Sequence, residues 1–142
     1  MKIFQSFNED DTIKLAFNFA KSMIKFPCVI LIDGDLGAGK TVFAKGFAKG
    51  LEIHQDITSP TFTLMNEYEC LNDKKFKHFD FYRIEDEQEL YAIGFDEAIN
   101  ENNSISLIEW ASNAPNLCKN YDYKIKIIKI KENERKIIIG AK

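Results

Sequence analysis

The sequence has little arginine, no excess of basic residues and no long apolar run. Lys and Arg together number 19 against 22 Asp and Glu, which gives a formal net charge of −3. Because a protein that grips a nucleic-acid backbone needs a basic face, this balance argues against a nucleic-acid-binding domain. No apolar stretch approaches the length that crosses a bilayer, and the N-terminus lacks the pattern of a signal peptide. We therefore expect a cytoplasmic protein without a membrane partner.

Cysteine is also sparse. Cys28, Cys70 and Cys118 are odd in number and far apart in the chain. This spacing excludes both a disulfide framework and a metal-binding knuckle. We expect buried or incidental free thiols.

What the sequence does contain is a glycine-rich stretch at residues 34–41, GDLGAGKT, which fits the pattern G-x-x-x-x-G-K-[ST]. The glycines allow the backbone to curl so that successive N–H groups point into one concavity, which suits a polyphosphate. In such a phosphate-binding loop (P-loop), Lys40 is expected to reach the β- and γ-phosphates and the Thr41 hydroxyl to hold Mg²⁺.

The residues on either side of the loop support this interpretation. Residues 28–32 are apolar without alternation, which predicts a strand buried on both faces of a parallel sheet. After the loop, apolar residues recur at helical spacing, and Gly50 is expected to cap the end of that helix. Strand, glycine loop and helix follow one another in the order that a phosphate site requires.

Other patterns predict the remaining elements. They are an edge strand at 2–7, a helix from the N-cap candidates Asn8–Asp11 through a stripe that ends at Ile24, a hairpin of 62–68 with 76–80, a short helix from Asp86 to Gly94, a strand at 104–108, and a hairpin of 121–131 with 134–139 that has a bulge or two-sided burial at Ile127-Ile128. We predict one α/β domain over residues 1–142, a P-loop NTPase-like three-layer sandwich. Its central sheet is mixed and mainly parallel, with antiparallel hairpins.

Two carboxylates follow predicted strands. Because ligands of open α/β sheets sit at the carboxyl ends of the strands, Asp80 and Glu109 are expected near the loop. Mg²⁺ prefers hard oxygen ligands, and either acid could complete its shell beside Thr41. We assign Glu109 as a direct or water-mediated Mg²⁺ ligand and Asp80 as the acid that orients metal-bound or attacking water. The alternative for an acid at a strand end is a structural cap.

The polar loop after the predicted P-loop helix ends in Ser59-Pro60-Thr61. In P-loop hydrolases a loop at this place folds over Mg²⁺ and the γ-phosphate, so Thr61 is a candidate switch residue. The alternative is that Ser59 and Thr61 only terminate a strand beside Pro60.

Four motifs in this order resemble the TsaE family of bacterial ATPases, also called YjeE. They are GDLGAGKT at 34–41, SPTFTL at 59–64 followed by Glu67-Tyr68, HFDFYRI at 78–84, and IEW at 108–110. The resemblance spans nearly the whole chain. It implies a small P-loop ATPase that serves formation of N6-threonylcarbamoyladenosine (t6A) at position 37 of tRNAs reading codons that start with adenine. It also implies that TsaB and TsaD are partners, with TsaD performing the transfer from an adenylate made by TsaC, so that this chain itself does no chemistry on tRNA.

The resemblance also implies roles for individual residues. It assigns the loop Leu36, Gly37, Ala38, Gly39, Lys40 and Thr41 to ATP, with Thr41 and Glu109 on Mg²⁺. Asp80 and Trp110 are implied to be important for activity, Arg135 to lie close to the nucleotide, and Glu9 to fall near the corresponding N-terminal segment. The chain departs from the family pattern at Val42 and at Ala111-Ser112, so no role is carried over to those side chains.

The scarcity of arginine bears on the rate. A cation that neutralises charge on the γ-phosphate speeds phosphoryl transfer by about 10³ to 10⁵. The chain offers Arg83 and Arg135 alone, so we expect slow turnover by the isolated protein and faster turnover with TsaB and TsaD. A small-molecule P-loop kinase is the alternative, although the chain lacks an arginine-rich lid and the length for an acceptor pocket. A structural adaptor with a vestigial loop is a third possibility, against which Lys40, Thr41 and both acids speak.

Overall fold

The fold is built on one mixed β-sheet. The computed structural model describes residues 1–23, 25–60 and 62–142, so the predicted stripe residue Ile24 and the candidate switch residue Thr61 lie outside the described residues. Within that part of the chain the elements are β1 (Lys2–Ser6), α1 (Glu9–Met23), β2 (Cys28–Asp33), α2 (Lys40–Gly50), β3 (Met65–Cys70), β4 (Lys74–Asp80), α3 (Gln88–Ala92), α4 (Phe95–Ile99), β5 (Ser104–Glu109), β6 (Tyr123–Lys129) and β7 (Arg135–Ala141).

Across the described residues the strand order is β1-β7-β6-β2-β5-β4-β3. The central strands β4, β5, β2 and β6 are parallel to one another. The hairpin β3–β4 closes one side of the sheet, and β6, β7 and β1 continue the other side with antiparallel pairing. This arrangement confirms the predicted mixed, mainly parallel sheet with antiparallel hairpins.

Helices cover both faces of the sheet. One core lies between the sheet and the α1–α2 pair and is rich in aromatic rings, among them Phe19, Phe43, Phe47 and Phe76. The other lies beneath α3 and α4 and includes Phe79, Phe81 and Phe95. The three predicted layers are therefore present, with the P-loop helix α2 on the first face.

The close packing of α1 on α2 depends on glycine. A Cβ built on Gly50 would lie 2.6 Å from the carbonyl oxygen of Phe17, and one built on Gly46 would run into the backbone of Ile13. Gly50 is the last residue of α2, and the cap position is taken by Leu51. The prediction of Gly50 as a capping glycine was therefore wrong: the residue is small because α1 passes over it.

Two other predictions need correction, and a third is decided between its alternatives. The first hairpin strand begins at Met65, so residues 62–64 precede it. A second short helix, α4, follows Gly94, whose positive φ of 70° both ends the turn after α3 and begins α4. At Ile127-Ile128 the sequence left a bulge or two-sided burial open. The β6–β7 register runs without interruption, with Ile127 buried and Ile128 half-buried, so the structure supports two-sided burial and not a bulge.

Candidate active site

The P-loop connects β2 to α2 at the carboxyl end of the parallel strands. Gly37 and Gly39 have positive φ angles of 79° and 109°. A Cβ at either position would meet nothing within 4 Å, so backbone conformation and not space explains the two glycines. Gly39 is the N-cap of α2, and the loop therefore presents backbone N–H groups and a helix N-terminus to the same concavity.

Lys40 is held against this loop. Its side chain is buried, and Nζ donates to the carbonyl oxygens of Gly34 and Asp35. Burial lowers the pKa of Lys40 from its ordinary value, whereas the nearby charges of Glu109 and Asp80 oppose that shift. A buried ammonium is stable only beside compensating oxygens, and here the loop carbonyls and two acids supply them.

The two acids are opposite each other on neighbouring strands. The parallel register of β4 and β5 pairs Asp80 with Glu109, so both side chains leave the same face of the sheet. They are buried, with 7% and 3% of their surface exposed. Like charges directly opposite on a sheet are destabilising, and a cation between or beside them offsets that cost.

Asp80 is fixed by both of its carboxylate oxygens. Oδ2 accepts a hydrogen bond of 2.9 Å from the Ser59 hydroxyl, and Oδ1 accepts one of 2.9 Å from the backbone N–H of Tyr82. The acid therefore ties the loop after α2 to the segment that leaves β4. Thr61, two residues beyond Ser59, lies outside the described residues, and its role as a switch stays a prediction.

Glu109 has a partner that the sequence interpretation did not provide. Nε2 of His78 lies 2.6 Å from its Oε2. The ring of His78 also stacks on Phe76, with centroids 6.1 Å apart. The signal that could have found the contact is strand alternation: His78 precedes Asp80 by two residues and therefore shares its face.

Trp110 forms a wall of the site. Its φ of 59° lies in the left-handed region, which is uncommon outside glycine and is found at functional sites. The indole lies 4.9 Å from the Tyr82 ring, and the Lys40 ammonium is 4.6 Å from the indole centroid. At this distance the ring face attracts the cation, so Trp110 covers Lys40.

The two arginines engage other groups of the protein. Arg135 donates from Nε to the carbonyl oxygen of Ala38 at 2.8 Å and from Nη2 to that of Gly37 at 3.3 Å. Its Nη1 donates to carbonyls of the β6–β7 turn, including that of Lys131. The guanidinium thus links the P-loop to the last hairpin. Arg83 lies over the exposed ring of Phe62 at 5.2 Å.

These groups surround one cavity of about 620 Å³, a size typical of small-molecule sites. Among the described residues, its walls include every one that the sequence singled out for the site: Leu36, Gly37, Ala38, Gly39, Lys40, Thr41, Asp80, Glu109, Trp110 and Arg135. Glu9 and Arg83 also line it, and so do Asn8, Ser59 and Asn133, which the sequence did not suggest as site residues. The fold therefore brings the four motifs to one place.

The donor set fits magnesium bound together with a phosphate. Among the described residues, no group of three or more His, Cys, Asp and Glu could hold a metal by itself. Thr41, Asp80 and Glu109 nevertheless offer hard oxygens beside a phosphate-binding loop. Mg²⁺ usually keeps waters and binds through one or two protein oxygens plus substrate phosphates, which is the chemistry that these residues can supply.

Two expectations about the rest of the chain can also be compared with the structure. The three cysteines are free, and burial raises the pKa of Cys28 and Cys118 to about 12 and that of Cys70 to about 11. They stay protonated at neutral pH and are poor nucleophiles. Within the described part of the chain, no helix has the length and apolar character needed to span a membrane.

Comparison with known proteins links this geometry to one family. Residues 6–137 match the family described as threonylcarbamoyl adenosine biosynthesis protein TsaE. The chain is 40% identical over 138 residues to the tRNA threonylcarbamoyladenosine biosynthesis protein TsaE of Aquifex aeolicus, covering 95% of this chain and 92% of that protein. It is 41% identical over 115 residues to the protein of the same name from Bacillus subtilis, covering 80% and 69%.

A solved structure resembles the fold. The crystal structure of Bacillus subtilis YdiB superimposes with a TM-score of 0.82 at 30% sequence identity, covering 99% of this chain and 84% of that one. The similarity therefore includes the whole sheet and both helical layers.

Proposed function

This chain belongs to the TsaE family of tRNA threonylcarbamoyladenosine biosynthesis proteins, and from that premise we propose that it is an ATPase. Its hydrolysis of Mg-ATP to ADP and phosphate drives or resets a TsaB–TsaD complex during t6A formation at position 37 of tRNA. The chain itself does no chemistry on the tRNA.

One observation carries this proposal. A glycine-rich loop, a buried lysine and two buried carboxylates converge on one cavity at the carboxyl end of the parallel strands. Burying three ionisable groups together is costly unless a ligand uses them. A nucleotide triphosphate with its magnesium ion supplies both the negative charge that suits Lys40 and the positive charge that suits the two acids.

The residues divide the work of binding and hydrolysis. The N–H groups of residues 36–41 and the Lys40 ammonium bind the phosphates, and Arg135 holds the loop in shape through its bonds to the carbonyls of Ala38 and Gly37. Thr41 and Glu109 hold Mg²⁺, which neutralises charge on the phosphates when it is bound. Asp80 orients the attacking water, and Trp110 shields Lys40 from solvent.

Slow turnover by the isolated chain follows from the two arginines. Arg135 is committed to backbone carbonyls and Arg83 lies on Phe62, so the γ-phosphate gains no dedicated arginine from this chain as it stands. We infer that TsaB and TsaD speed hydrolysis by completing or ordering the phosphate end of the cavity.

The test is phosphate release by the purified chain with no acceptor present. We expect slow release that rises when TsaB and TsaD are added and that is lost in Lys40→Ala. Lys45→Ala is the matched control, because Lys45 is an exposed lysine on the same helix. ADP formation that requires an added acceptor and releases no phosphate would indicate a kinase, because a kinase transfers the γ-phosphoryl group to its acceptor. Equal rates with and without TsaB and TsaD would contradict the proposed role of the partners.

A further inference from the structure

A wholly buried imidazole lies beside Glu109. His78 has no exposed surface, and its Nε2 lies 2.6 Å from Oε2 of Glu109. This separation is that of a short hydrogen bond. When Glu109 holds a cation as a carboxylate, it accepts this hydrogen bond from Nε2, because a carboxylate has no hydrogen to donate. The histidine therefore holds one particular oxygen of the acid.

The other ring nitrogen of His78, Nδ1, is also buried. Among the described residues, Nδ1 of His78 has no hydrogen-bond partner. A buried polar atom left unpaired costs about 1–3 kcal/mol. Phe76 stacks on the ring, and Asn66 of β3 lies directly opposite His78 in the sheet. Phenylalanine or leucine would fill such a place without that cost, so the contact with Glu109 is what accounts for a histidine here.

A carboxylate with one oxygen held can no longer rotate freely. Oε2 is engaged by His78, which leaves Oε1 for a cation in the cavity that Glu109 lines. Partners that orient a metal ligand from behind matter greatly, since their loss costs about 10- to 100-fold in metal affinity or activity. Resting on the function proposed above, we propose that His78 is a positioning residue that orients Glu109 toward Mg²⁺.

The neighbouring residue provides a matched control. Lys77 is as deeply buried as His78 on the same strand, with 1% of its surface exposed, but it points to the other face. Its Nζ donates to the carbonyl oxygen of Ala98 at 2.7 Å and pairs with Glu101 at 3.1 Å. A variant at Lys77 therefore disturbs the same strand without touching the cavity.

The experiment measures how strongly magnesium tightens nucleotide binding. The full chain and its variants are titrated with MgCl₂ in the presence of a fluorescent, non-hydrolysable ATP analogue, and the same affinity is measured in EDTA. We expect His78→Leu to need about tenfold more Mg²⁺ for half of the effect, with the affinity in EDTA within about twofold of wild type. Lys77→Met should titrate like wild type.

A second pair of variants separates orientation from folding. In His78→Gln the side-chain amide reaches about as far as Nε2 does, whereas in His78→Asn it stops one carbon short. Both place an amide in the same core, so both face a similar burial cost. We expect the glutamine to recover most of the magnesium dependence and the asparagine not to recover it. This comparison holds even if His78→Leu fails to fold.

The outcomes distinguish the two proposals. The first case is that magnesium tightens nucleotide binding by wild type. If His78→Leu, or both His78→Gln and His78→Asn, then titrate with MgCl₂ like wild type, the positioning role is overturned and the proposed function stands. Equal loss of affinity in EDTA and in Mg²⁺ would make His78 a packing residue and also overturn the role. If magnesium does not tighten nucleotide binding by wild type, the proposed function falls and this inference falls with it.

Discussion

Two consecutive residues of β4 point to opposite faces of the sheet, and each is a buried polar side chain with an acidic partner. On the α3–α4 face, Lys77 pairs with Glu101, whose side chain is 45% exposed. On the α1–α2 face, His78 contacts Glu109, which is 3% exposed. The two pairs are alike in the burial of the strand residue, since Lys77 is 1% and His78 0% exposed. They differ in where the acid lies.

That difference separates a structural pair from a candidate functional one. The partner of Lys77, Glu101, is solvated, so leaving its carboxylate unpaired costs little free energy. Lys77 also donates a hydrogen bond to a backbone carbonyl of α4. The partner of His78 lies at the cavity beside Lys40 and Asp80, and all three of these ionisable side chains are buried. Burial of a polar residue alone therefore says little, and the surroundings of its partner say more.

The largest expected effect is at Glu109. Glu109→Gln keeps the shape and a contact with His78 but removes the charge, so phosphate release should fall by about 100-fold or more, since a metal ligand supplies several kcal/mol. The rate is measured in single turnover at saturating Mg²⁺. Asp80→Asn is the companion variant: it should slow hydrolysis while magnesium still tightens nucleotide binding. The reverse pattern would make Asp80 the metal ligand.

A smaller effect is expected at the other end of the cavity. Arg135→Lys keeps a positive charge but loses the planar fork that reaches Gly37 and Ala38 together. Nucleotide affinity should fall about tenfold, equally in EDTA and in Mg²⁺, because the loop and not the metal is affected. Calorimetric titration checks this, with Lys136→Ala on the next residue of β7 as the control. A loss seen only with Mg²⁺ would contradict the loop-holding role.

The comparison also shows how far the sequence predicts this molecule. The P-loop, both carboxylates and the mixed sheet follow from local patterns, because strand ends in a parallel sheet meet at one edge. The contact of His78 with Glu109 and that of Arg135 with Ala38 join residues 31 and 97 positions apart. Such contacts depend on strand order and register, which hydrophobic periodicity does not specify. The prediction for Gly50 was wrong for the same reason, because Gly50 is small to allow the close approach of α1, which is distant in sequence.

A smaller effect on phosphate release is expected at Ser59, whose partner Asp80 lies on the same face of the sheet as His78. Ser59→Ala removes the hydroxyl that donates to Oδ2 of Asp80 but leaves the Tyr82 contact. A hydrogen bond of this kind contributes about 1 kcal/mol, so phosphate release should fall about fivefold with nucleotide affinity nearly unchanged. Single-turnover rates at several MgCl₂ concentrations provide the measurement. An affinity loss as large as the rate loss would mean that Ser59 shapes the cavity and does not act through Asp80.

The smallest effect is expected at Lys77, and a variant here tests most directly whether the two buried pairs differ in role. Lys77→Met should keep phosphate release within about twofold of wild type and Tm within about 5 °C, because an apolar residue of similar length often replaces a buried ion pair at little cost.

The pair with Lys77 lowers the pKa of Glu101 below its ordinary 4.5. A carboxyl group whose pKa is lower in the folded than in the unfolded state stabilises the fold at pH values above the unfolded-state pKa. This stabilisation is lost as pH falls through the folded-state pKa. Any stability that wild type holds over the variant should therefore shrink below about pH 4.5, and thermal melts across that range would show it. A loss of activity in Lys77→Met as large as that in His78→Leu would mean that both faces of β4 serve the cavity, and the distinction between the two pairs would fail.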